Sequence, residues 1–202
     1  MPTTAPQPAR NFLPSARVAE GMTRFALPHR RTRLKVLHGL TIPLFVWFLI
    51  VTPDDVNAIG PWAFQVHSIL GLVFVTCALI WTVSHIRRGL MGRPGPKLGP
   101  RQKRLHQILH KTLIWGLFGV ALTGFGLGLT ASRQLWAGDL VPIAYPLGLP
   151  DLNDLVGTIH IVEFYALAAI AAVHAGFHIW RHVRLRDNAL RIMAPKVLHR
   201  YL

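Results

Sequence analysis

The chain has 202 residues, of which 51% are hydrophobic and only 15% charged. An ordinary soluble domain has about 25% charged residues, so this composition excludes a soluble globular protein and reads as an integral membrane protein. The net charge of +14 does not mark a nucleic-acid-binding surface, because the basic residues alternate with the apolar runs along the chain instead of forming one face.

Residues 1–30, rich in Pro, Ala and Arg, read as a flexible basic cytoplasmic tail, with an amphipathic surface helix expected over Ser15 to Leu27. The tail is not a cleavable signal peptide, since the first apolar run starts too late and three more follow. Residues 31–202 are expected to form one all-α domain, an integral membrane four-helix bundle. The first span runs from about Arg33 to Val51 and stops at Pro53-Asp54-Asp55; Pro43 inside it predicts a kink. The second, from about Trp62 to Ile86, ends at Arg87-Arg88. A basic loop containing Gly92, Pro94, Gly95, Pro96, Gly99 and Pro100 leads to the third, about His106 to Thr130. A loop from Ala131 to Leu155 precedes the fourth, Val156 to Trp180, and a basic tail follows. No internal repeat is present. Cys77, the single cysteine, lies in an apolar run and reads as a small core residue.

Charge gives the orientation. Lys and Arg concentrate before His38, between Arg87 and Arg104, and after Trp180, whereas Asp54, Asp55, Asp139, Asp151 and Asp154 occupy the other two loops. The positive-inside bias predicts both termini in the cytoplasm of a bacterial cell, with the chain crossing the inner membrane repeatedly.

The histidines carry the chemistry. His160 and His174 lie fourteen residues apart on the fourth span. Fourteen residues at about 100° each return to nearly the same helix face, with a rise of roughly 21 Å. Imidazole is a good iron ligand, and a polar ring inside a membrane helix is costly without a role. Two such rings one leaflet apart suggest axial ligands of two stacked haems; the plainer alternative is a pair of hydrogen-bonded histidines in a bundle. Sorted by depth, His67 belongs with His160 near the periplasmic side and His38 with His174 near the cytoplasmic side. His85, eighteen residues after His67 and on the same face, rivals His38, and depth alone does not separate them. Without a Cys-x-x-Cys-His sequence, any haem is b-type.

Other residues take outer roles. His106 and His110 open the third span as surface or propionate contacts. His178 and His182 are expected to face headgroups, a propionate or a quinone. Arg33, Lys35, Lys111 and Arg181 on one side, and Arg133 on the other, are cationic candidates for propionates; Lys111, His178, Arg181 and His182 are the candidates for quinone. Glycines 71, 116, 119, 124, 126 and 128 suit either close haem approach or helix packing.

Several motifs are together specific. The fourth span and tail read His160-Ile-Val-Glu163, His174-Ala-Gly-Phe177 and Arg186-Asp187-Asn-Ala-Leu190-Arg191-Ile-Met193. His67-Ser-Ile-Leu-Gly71, Leu105-His106-x-x-Leu109 with Leu122-Thr123-Gly124, and Arg33-x-x-x-Leu37-His38 precede them. Over about 30–202 the chain resembles the bacterial cytochrome b561 family. The resemblance implies two haem b groups, on His38 and His174 toward the cytoplasm and on His67 and His160 toward the periplasm. It further implies electron exchange between a periplasmic redox partner and membrane quinone, with membrane lipid as surroundings and no nucleic acid. Gly39 stands where the family often has Trp, and His110 where it often has Tyr. Two related activities are a haem b membrane-anchor subunit of a larger dehydrogenase or hydrogenase, and a superoxide oxidase reducing ubiquinone. The second wants a cationic periplasmic entrance, whereas here Arg133 stands against five aspartates. A transporter reading lacks a midplane carboxylate.

Overall fold

The structure is a computed structural model that describes residues 30–194 and 199–200. The amphipathic helix expected over residues 15–27 lies outside the described residues. The elements in chain order are α1 Arg30–Ile50, α2 Pro53–Ile59, α3 Pro61–Arg88, α4 Pro100–Thr130, the strands β1 Trp136–Ala137 and β2 Val141–Pro142, α5 Pro150–Arg184 and α6 Ala189–Met193. Helices α1, α3, α4 and α5 are long and apolar enough to cross a membrane. The fold is thus the all-α membrane four-helix bundle expected from the sequence.

The helices are longer than the apolar runs, because hydropathy reports where lipid begins, not where backbone hydrogen bonding begins. Helix α4 starts at Pro100, six residues before His106. Proline needs no amide partner at a first helical position, and the Gly99 amide donates to Gln102 Oε1 at 2.7 Å. Helix α5 starts at Pro150, with Asp151 in its first turn. There the Asn153 side-chain Nδ2 donates to the Leu127 carbonyl at 2.8 Å and to Thr130 Oγ1 at 2.7 Å, which ties the start of α5 to the end of α4. Part of the expected 131–155 loop is therefore helix, and part is the antiparallel β1–β2 pair. Helix α2, which the sequence reading missed, is closed by a capping box: the Asp55 amide donates to Thr52 Oγ1, and Thr52 donates back to the Asp55 carboxylate.

The bundle has a basic end, where α1 begins, α3 ends, α4 begins and α5 ends, and a hairpin end, which carries α2 and the strands. The core joins Leu34 and Leu37 of α1, Phe74, Cys77, Ala78 and Trp81 of α3, Leu117, Val120 and Ala121 of α4, and Leu167 of α5. Among the described long helices, α5 packs its backbone closely against α4 only. Its seam with α1 is bridged by long side chains, such as Phe45 on Phe164 with ring centroids 5.0 Å apart.

The close α4–α5 contact depends on small residues. A Cβ at Gly116 would stand 2.6 Å from Leu167 Cδ1, and one at Gly124 would stand 3.3 Å from His160 Cε1. Glycines 116, 119, 124 and 126 of α4 thus seat α5 side chains.

Candidate functional site

Histidines occupy two layers of the bundle. At the hairpin end, α3 carries His67 and α5 carries His160, and the two lie within electrostatic range of each other. The His67 ring meets Phe48 edge-on, with centroids 4.8 Å apart, and its buried Nδ1 has no hydrogen-bond partner. His160 Nδ1 lies 2.8 Å from Thr123 Oγ1, and that hydroxyl is also 3.2 Å from Glu163 Oε2 and 3.1 Å from the Gly119 carbonyl. The hydroxyl has one proton. Given to Glu163 or to the backbone, it leaves the Thr123 oxygen to accept from His160 Nδ1–H, and the lone pair of His160 then sits on Nε2.

At the basic end, α1 carries His38. Its Nδ1–H donates to the Leu34 carbonyl at 3.0 Å, so Nε2 keeps its lone pair, and the ring stands edge-on to Trp81 at 5.0 Å. His174 of α5 lies within electrostatic range of His38, and its buried Nδ1 has no partner. His85 instead sits against Trp115, with centroids 6.3 Å apart.

Around His174 lies a group of rings that differs from expectation. His110 and His178 each stand 4.6 Å from it, and His106 stands 4.0 Å from His110. His106 and His178 are 1% and 6% exposed, so neither faces lipid headgroups or the surface. The cause is the early start of α4, which places His106 more than one turn inside the helix, together with the 89–99 segment folding across it. A Cβ at Gly92 of that segment would lie 3.3 Å from His110 Nε2.

A family model for prokaryotic cytochrome b561 matches residues 29–196. The chain belongs to the prokaryotic cytochrome b561 family. It is therefore a multi-pass bacterial membrane protein of haem b electron transfer. No curated protein matches the chain.

The residues present fit the cofactor of a cytochrome b561. Buried imidazole nitrogens without partners are costly in an apolar interior, and such nitrogens occur in both layers, on His67 and on His174. His38 and His160 each spend Nδ1 on a hydrogen bond and present a bare Nε2, as an orienting outer contact does for a metal-bound histidine. On α5 the two candidate ligands touch α4, His160 at Thr123 and His174 at His110.

The other expected contacts divide. Arg181 is 2% exposed, and its Nε and Nη2 donate to Asp187 Oδ2 at 2.9 and 2.6 Å. Its guanidinium is thus committed to an ion pair within the chain and is not the open quinone or propionate donor the sequence suggested. The pair forms because the chain reverses after α5 through left-handed conformations at Arg186 (φ 46°) and Asn188 (φ 57°), which bring Asp187 back. Lys111 is exposed on α4 and His182 is half-buried on α5. A cavity of about 240 Å³ between α1 and α3 at the basic end is lined by Arg33, Ser84, Arg88 and Met91. Arg33 Nε is buried there without a hydrogen-bond partner.

Proposed function

We propose that the protein is a di-haem cytochrome of the bacterial inner membrane, with both termini cytoplasmic, that exchanges electrons between a periplasmic redox partner and membrane quinone. His38 and His174 hold one haem b toward the cytoplasm, and His67 and His160 hold the other toward the periplasm. The observation that supports this most is the two-layer arrangement of half-buried imidazoles, His67 with His160 toward the hairpin end and His38 with His174 toward the basic end, in which Nδ1 of His67 and of His174 is buried without a hydrogen-bond partner. Bound haem supplies reversible one-electron iron chemistry. The chain supplies the rest. Leu34 and Thr123 orient ligand rings, Phe48 and Trp81 fill space beside them and exclude water, and the Arg33–Arg88 cavity compensates carboxylate charge at the basic end.

Quinone exchange belongs at the basic end. Lys111 and His182 are the donors there that can stabilise a reduced quinone oxygen and relay its protons. Arg181 is withdrawn from that role by Asp187, and His178 by its turn into the histidine group. The test is the rate of haem reduction by a quinol in detergent. Lys111→Ala and His182→Ala should each slow it about tenfold or more with haem content intact. Unchanged rates in both would move the site elsewhere, and no quinol reaction in the wild type would leave a protein partner as the electron carrier. The superoxide alternative has less support, since the hairpin end lacks the cationic surface that would steer an anion.

A further inference from the structure

We propose that His106, His110 and His178 form a binding site for a divalent transition-metal ion of the Zn²⁺ class, separate from the haem ligands. One ligand atom from each ring lies within 4.8 Å of the others. The site is built from two helices: His106 and His110 are one turn apart on α4, and His178 faces them from α5. Helical residues at this spacing share a face, so each helix offers its rings to a common point.

The nitrogens are unsatisfied. His106 Nδ1, His110 Nε2 and both ring nitrogens of His178 are buried without a hydrogen-bond partner. His110 is also oriented, because its Nδ1–H donates to the His106 carbonyl at 2.7 Å and leaves Nε2 as the acceptor. So many lone pairs at one buried point call for an electron-pair acceptor. Three imidazoles with no carboxylate among them disfavour Ca²⁺ and Mg²⁺, which take oxygen ligands, and suit zinc or copper. Three protein ligands leave a fourth position for water.

The surroundings tolerate a dication. The nearby Arg181 cation is already neutralised by Asp187 at 2.6 Å. Gly92 leaves His110 Nε2 uncrowded, since a Cβ there would come within 3.3 Å of it. His174 contacts the group, with its ring 4.6 Å from His110 and from His178, but it is not needed for the site. The inference therefore stands apart from the haem assignment.

The test uses the full-length haem-loaded protein, purified without a histidine tag, stripped with a chelator and titrated with Zn²⁺ against a chromophoric competitor. One Zn²⁺ should bind per chain, and X-ray absorption at the zinc edge should show imidazole nitrogens at about 2.0–2.1 Å. His106→Ala and His178→Ala should each weaken binding by about 100-fold or more, since loss of even an outer partner of a metal ligand costs roughly 10–100-fold. Both variants should retain the wild-type haem content and spectrum. Absence of stoichiometric zinc in the wild type would overturn the proposal, as would equal binding in both variants. Loss of haem in step with zinc would overturn it too, by assigning these rings to a haem site. Haem content is read in the same samples, so a failed zinc site and a failed haem reading give different results.

Discussion

At the residue scale, the arrangement turns on which ring nitrogens are left bare. His160 is held by Thr123 and His38 by its own helix backbone. Thr123→Val removes the contact that fixes the His160 tautomer. It should weaken retention of the periplasmic haem by about 10–100-fold, the usual cost of an outer-shell partner, and leave the cytoplasmic haem in place; haem retention after detergent dilution reads this directly. His174→Ala and His38→Ala should each remove the cytoplasmic haem, whereas His85→Ala should spare both low-spin signals in electron paramagnetic resonance. Loss of the cytoplasmic signal in His85→Ala but not in His38→Ala would reverse that pairing. The candidate ligands were legible because helical periodicity alone places His160 and His174 on one face. The burial of His106 and His178 was not, since it depends on a loop that crosses α4 from outside. Two pairs of histidines four residues apart, 106 with 110 and 174 with 178, were the available signal. They point to one group only once α4 and α5 are known to be antiparallel neighbours.

At the element scale, α4 and α5 form the tight half of the bundle, and the glycines of α4 set the distance between them. Gly124→Val adds bulk where a Cβ alone would stand 3.3 Å from His160 Cε1. It should displace that ring and lower periplasmic haem occupancy in a pyridine haemochrome assay, with the cytoplasmic haem retained. Normal occupancy of both haems would show that α5 can move away at no cost. Helix α2 is a separate small unit stabilised by its cap. Thr52→Ala should cost about 1 kcal/mol of local stability and raise amide hydrogen exchange over residues 53–59 about fivefold. Hydrogen bonds from the Thr52 side chain and backbone hold the Asp55 carboxyl below its ordinary range. The cap's stabilisation is therefore present above the unfolded carboxylate pKa near 4 and is lost as pH falls through the lower folded value. Exchange over 53–59 should accelerate below that point in the wild type and be insensitive to it in Asp55→Asn. The four apolar runs gave the long helices but not their ends. Proline starts, the Thr52 cap and the Asn153 tie lie outside the hydropathic signal.

At the scale of the whole molecule, four antiparallel spans return the chain to the side on which α1 begins. The concentration of Lys and Arg at that end is the basis for the proposal that it faces the cytoplasm. A cysteine introduced at Ser15 in a Cys77→Ser background should react with a membrane-impermeant maleimide only after the inner membrane is opened; labelling in intact spheroplasts would invert the topology. The fold was readable from hydropathy, which acts over a whole helix, and the family from the resemblance carried by the motifs around His67, His106, His160 and His174. The Arg181–Asp187 pair was not, because it requires the reversal at 185–188 that no periodicity announces. The most direct measurement of the central claim is the haem content of the purified chain, by pyridine haemochrome per mole of protein after acid–organic extraction. Two extractable b haems per chain are expected, falling to one in His160→Ala and to one in His174→Ala. A folded wild-type protein that carries a single haem, or none, would contradict it.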